Sequence, residues 1–219
     1  MKNTRTRGDD AYVAEELNSL QRHLERLHPC GNALAWAGSY DDPIDAWRAC
    51  PRGDWLLWLA LKLHVERKTL VRAACACARL ALPFTQDERP VRAIRIAELS
   101  AGGDSAVTIE DVKKAALECK EAALDAGCYA AFDGANAAYA GFYAAIAATA
   151  EGSATEAAAA AVEAAAETAA EAAVTRFFGD AARAEVLRQC ACIVRRFIDE
   201  TTIQWAWQNH VQRKEGRDD

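Results

Sequence analysis

His23, His28 and Cys30 are the first side chains in this 219-residue chain that could hold a metal, and the whole chain carries eight cysteines and four histidines. Structural zinc takes four nitrogen or sulfur ligands, usually as two close pairs. Here Pro29 interrupts the trio, and no CxxC or HxxxH follows to complete a set of four. A Cys–His nucleophile would need a base beside a thiol of lowered pKa, and no local motif selects such a pair. Phosphate loops of the GxxxxGK[ST] or GxGxxG kinds are missing from the sequence. The Ala101–Asp104 stretch, AGGD, reads as a helix stop followed by a cap. Arg52-Gly53-Asp54 spells an adhesion tripeptide, but it leads straight into an apolar helix, where Asp54 is expected to serve as the N-cap. No catalytic residue, metal or cofactor is expected, and the chain reads as a non-enzyme.

The charged residues offer binding rather than catalysis. Eight Lys/Arg face three Asp/Glu between Lys62 and Arg95, and Arg72, Arg79, Arg89, Arg92 and Arg95 could together hold an anionic small ligand. From Glu98 to Glu171 the sign reverses, with thirteen acids against three lysines. Glu156, Glu163, Glu167 and Glu171 follow at spacings of seven, four and four, along one side of a helix. Like charges four apart repel by a few tenths of a kcal/mol, so this row either solvates an Ala-rich helix or faces a basic partner. A net charge of −6 opposes nucleic-acid binding. Carboxylates strung along helix faces do not make the cluster that a metal-dependent nuclease needs.

The elements that must position these residues are helices. Ala supplies 27 of the 52 residues from Ala122 to Ala173, and the chain has only 5 Pro. Ala is the best helix former and a poor strand former, so the fold class is all-α, a bundle of about nine helices. The seven apolar residues from Trp55 to Leu61 stop at Lys62, well short of the ~20 that cross a bilayer, and mark a buried helix. Asp42-Pro43, Asp87, Thr108 with Asp111, and Ser153 with Glu156 read as helix starts. Pro29, Pro83, Gly102-Gly103 and Gly179 read as stops. An opening helix is expected from about Ala11 to Leu27. Tyr129, Phe132, Tyr139, Phe142, Tyr143 and Ile146 form an aromatic stripe in which Gly134 and Gly141 allow close helix approach. The last long helix is expected to break on its way to Trp205 and Trp207. One domain over 1–212 is expected, with a charged tail over 213–219. The basic start carries no apolar stretch behind it, so a cytoplasmic location with reduced thiols is expected, and no membrane partner.

Three segments together, AWRACPRGDWLLWLALKL, RKTLVRAACACARLALP and DERPVRAIRIAE, resemble a family of bacterial immunity proteins of polymorphic toxin systems, the immunity-protein-five-like group. The resemblance is strongest over Asp42 to Glu98, and LRQCACIVRRFI at Leu187–Ile198 is similar to the family's second half. It implies an all-α fold that acts by binding a cognate toxin or effector and occluding it. The family's marked positions fall on Trp47, Asp54, Trp55, Trp58, Arg89 and Pro90. Relatives carry a Trp after the Ala-Glu pair, where this chain has Leu99 and Ser100. These positions are expected to be mainly scaffold: the tryptophans bury area, and Asp54 pairs with Arg89 across the bundle. The alternative reading is a phage or mobile-element protein that binds a defence component, or an anionic small ligand at the arginines, in a helical pocket.

Overall fold

The computed structural model describes residues 17–128, 139–141, 143–145 and 180–215. They form nine α-helices and one 3-10 segment, with further helical residues at 139–141 and 143–145, and no strand is found among them. The helices are α1 (Ser19–Glu25), α2 (Gly31–Ala37), α3 (Pro43–Ala49), α4 (Gly53–Lys62), α5 (Arg67–Ala78), α6 (Glu88–Gly102), α7 (Ile109–Cys128), α8 (Asp180–Phe197) and α9 (Glu200–Glu215), with the 3-10 segment at Arg79–Phe84. The all-α class read from composition is the observed one. Glu156, Glu163, Glu167 and Glu171, the Ser153 cap, Gly134 and most of the aromatic stripe lie outside the described residues.

The chain divides into two compact units, Met1–Asp41 and Asp42–Asp219, with no linker signal in the sequence between them. In the first, α1 starts at Ser19, because Asn18 and Gln21 form a reciprocal capping box. The Asn18 side chain also donates to the carbonyls of Gly38 (3.2 Å) and Tyr40 (2.9 Å), and Gln21 donates to Leu34 O (3.1 Å). One cap thereby also ties α1 to the end of α2.

In the second unit most boundaries follow the expected caps. Asp42 Oδ1 accepts from the backbone of Ile44 and Asp45, with Pro43 at the first helical position of α3. Asp87 caps α6, and Thr108 and Asp111 cap each other at the start of α7. Two boundaries move. The α5 helix, expected to reach Leu82, tightens to 3-10 at Arg79, with Pro83 inside that segment. The expected break after α8 falls at Ile198–Asp199, but α9 runs to Glu215, into the charged tail expected over 213–219.

The core is centred on α5, which packs against α4, α6 and α8. Its Ala73, Ala74, Cys75, Cys77 and Ala78 are wholly buried, and small side chains let three neighbours approach at once. That is why Cys75 and Cys77, on different faces of the helix, are both inside. On α8, which has a free side, Cys190 is buried and Cys192 exposed. No helix among the described residues is long and apolar enough to cross a membrane.

Candidate functional site

Of the six residues marked by the resemblance, Trp47, Asp54, Trp55 and Trp58 lie on α3 and α4, which meet α8 at Gly53 and at Arg195, while Arg89 and Pro90 lie on α6. Trp47 is 1 % exposed, and its indole Nε1 has no hydrogen-bond partner. Just past it α3 ends, and Arg195 from α8 closes that end: its Nη1 donates to Trp47 O (3.1 Å) and Cys50 O (2.9 Å). A cation on the last carbonyls also offsets the negative end of the helix dipole. On the surface beside it, the Arg48 guanidinium holds both carboxylate oxygens of Glu200 on α9, at 2.8 and 2.6 Å.

The Arg-Gly-Asp tripeptide forms the first turn of α4 and its cap. Gly53 and Asp54 are buried, which removes the adhesion reading. A methyl group at Gly53 would lie 2.6 Å from the Cys190 carbonyl carbon and 2.7 Å from Ala191 N, and closer still to Cys190 Cβ. Gly53 is therefore the point at which α4 comes into backbone contact with α8.

Asp54 does not take either role expected of it. The helix starts one residue earlier, with Arg52 at the cap position and no side-chain capping bond. The Asp54 carboxylate, in a residue 8 % exposed, takes both the Nε (2.8 Å) and the Nη2 of Arg52, two residues back in the chain. Arg89 is engaged elsewhere, on Asp87 and on Asp125 of α7 (2.6 and 2.8 Å). A guanidinium two residues away reaches Asp54 without crossing the bundle, so the local pair forms. The Arg52 guanidinium also lies 4.9 Å from the ring centre of Trp55. Trp55 and Trp58, expected in the core, are only half-buried. Pro90 is buried, and Gly141 packs on it: a methyl at Gly141 would meet Pro90 Cα at 3.1 Å and Cys119 Sγ at 2.9 Å. That contact is the close approach predicted for Gly141.

The five candidate arginines are spread over α5, the 3-10 segment and α6. Arg72 lies over the Phe197 ring at 5.7 Å. Arg79 holds Glu98 through Nε (2.9 Å) and Nη2 (2.6 Å), and Arg92 pairs with Glu118. Hydrogen bonding from Arg89 holds the Asp87 carboxyl below its usual range. Arg95 is exposed on α6. A cavity of about 520 Å³ opens between α1 and α2, and one of about 400 Å³ lies where α5 begins and α6 ends; none of the five arginines lines either. The four candidate glutamates lie outside the described residues.

The thiols behave as core atoms. Burial pushes Cys50 up to about 11 and Cys75 up to about 12, and a hydrogen bond with Cys190, reinforced by burial, holds Cys77 well above the ordinary thiol range. Among the described residues no three His, Cys, Asp or Glu side chains group to hold a metal ion, His23, His28 and Cys30 included. Sequence reasoning overlooked Arg52, Gly53 and Arg195. The one available signal was an arginine, Arg195, set within the apolar row Ile193, Val194 and Ile198. The class that fold and site define is an all-α protein with a glycine-mediated helix seam. No family model, curated protein or solved structure matches the chain.

Proposed function

We propose that this chain is a non-enzymatic binding protein that neutralises a cognate toxin or effector by occluding it, as the immunity family it resembles does. One observation carries the reading. The two stretches on which the resemblance rests, Asp42–Glu98 and Leu187–Ile198, lie far apart in sequence, yet they meet residue on residue at Gly53 against Cys190 and at Arg195 on Trp47 and Cys50. Contact between the two stretches supports reading them as parts of one scaffold. The acidic stretch with Glu156, Glu163, Glu167 and Glu171 supplies the charge that would steer a basic partner. The anionic-ligand alternative has less support, since Arg79, Arg89 and Arg92 already hold carboxylates.

The test is co-expression with the protein encoded beside this chain in its source genome. The expected result is relief of that protein's toxicity and a complex of summed mass. Changing Glu163, Glu167 and Glu171 together to Gln should slow association at low salt and flatten its salt dependence. A neighbour that is harmless alone, or whose toxicity is unaffected, would overturn the reading.

A further inference from the structure

The cavity of about 400 Å³ where α5 begins and α6 ends has a floor and a rim of different chemistry. Three helices supply the floor: Val71 of α5 and Ala101 of α6 are buried, and Ile109 of α7 is half-buried. Glu66, Arg67 and Lys68 stand exposed at the rim. A volume of this size lies within the range of small-molecule sites, which join an apolar lining to a few polar groups that orient the ligand.

The polar side chains decide the sign of that ligand. The Glu66 carboxylate is engaged, accepting from Thr69 Oγ1 at 3.1 Å. So are the acids nearest in sequence to the rest of the lining. Asp104 accepts from Ala106 N (2.9 Å), Glu110 holds Lys113 (2.9 Å), and Asp111 takes the Thr108 backbone and hydroxyl (2.9 and 2.6 Å). Lys68 differs. It stands in no ion pair among the described residues, and its Nζ lies 3.8 Å from the place of a methyl group at Gly103, beside the end of α6. Two cations against one carboxylate leave the rim net positive.

We propose that this cavity binds a small amphipathic carboxylate, its charged end on the Lys68 ammonium and its hydrocarbon part against Val71, Ala101 and Ile109. Each half of the site disfavours a simpler ligand. An inorganic anion would leave the apolar floor facing water, and a neutral hydrocarbon chain would leave Lys68 without a counter-charge. A ligand ammonium would meet two cations at the rim. The site uses none of the five arginines weighed above, and it does not depend on the identity of any toxin.

Titration of the whole chain with octanoate, followed by amide chemical shifts, tests it. Saturable shifts are expected at Arg67–Val71, Ser100–Gly103 and Ile109. The dissociation constant should be roughly 1 mM or lower, within reach of a ligand of about ten heavy atoms. Lys68→Met keeps the stem and removes the charge, and it should raise that constant about tenfold, because a hydrogen bond to a charged group is lost. The variant should keep the wild-type spectrum elsewhere, since this side chain is exposed. Octanol and acetate, each lacking one half of the ligand, should bind at least about tenfold more weakly than octanoate. No saturable shift, shifts confined to other surfaces, or a constant unchanged in Lys68→Met would overturn the site. Octanol that binds as well as octanoate would overturn the preference for an anion, and acetate that does so would overturn the role of the floor.

Discussion

The seam between α4 and α8 and the seam between α6 and α7 are built on different physics. At the first, Gly53 lets backbone meet side chain and backbone, and Arg195 closes the end of the preceding helix from inside the packing. At the second, α6 packs on α7, Ala93, Ile94 and Ala97 of the one and Val112, Ala115 and Cys119 of the other are all buried, and ion pairs between the two helices line the exposed margin. A close-packed seam tolerates no added atom, while an edge pair in water can be lost cheaply. Substitutions should therefore be costly at the first and mild at the second.

The largest effect belongs to Trp47. Its removal in Trp47→Ala should cost about 3–5 kcal/mol, read as a loss of denaturant midpoint. Trp47→Phe should cost much less, because it also deletes an indole N–H that has no partner in the core. If Phe costs as much as Ala, the unpartnered N–H is not a liability and the packing account of Trp47 is incomplete.

Next comes Gly53→Ala, which adds one methyl group against the backbone of α8. Overpacking of this kind costs roughly 3 kcal/mol at its upper range. The same change at Gly102, where nothing stands within 4 Å, should be close to neutral or slightly stabilising. Equal outcomes at the two glycines would erase the distinction between the seams.

A smaller effect tests how the two helices end. After α4, Val65 N donates to Ala60 O (2.9 Å) and His64 N to Leu61 O (2.8 Å), while His64 takes φ 60°. After α6, Asp104 N donates to Leu99 O and Gly103 N to Ser100 O, both at 3.1 Å, with Gly103 at φ 81°. These are the same two bonds of one helix-ending motif, but only α6 has the glycine that enters this backbone region without strain. His64→Gly should raise stability by roughly 1 kcal/mol, measured as a rise in thermal midpoint. No rise would mean that the exposed histidine is held by more than its backbone.

What could be read in advance was local chemistry. The caps at Asp42, Asp87 and Thr108 and the stop at Gly103 depend on residues within four positions of one another, so the sequence displays them. Gly53 as a contact point and Arg195 as a cap depend on a partner brought by folding, and His64 as a stop lacks the glycine that usually marks one. Their local sequence looks like any other helix end or helix face. Asp54 shows the reverse error: a long-range partner, Arg89, was expected, although Arg52 stood two residues away. The half-burial of Trp55 and Trp58 was hidden for a related reason, since an apolar run does not show which of its sides a neighbour leaves open. The candidate site was legible as a set of motif residues. Its assembly around α8 was not.

The smallest effect is expected at the margin of the α6–α7 seam. Arg92 and Glu118 form an ion pair between the two helices, with the arginine side chain 55 % exposed. Pairs of this kind are worth about 0.2–1 kcal/mol, because water screens them and both side chains lose freedom in holding them. Arg92→Ala should lower stability within that range, and the loss should shrink as salt is raised. The buried rows of α6 and α7 are untouched by the change, so the cooperativity of unfolding should stay as in wild type. A loss of several kcal/mol that persists in high salt would show that Arg92 works through packing of its aliphatic stem. The second seam would then resemble the first, and the contrast between them would fail.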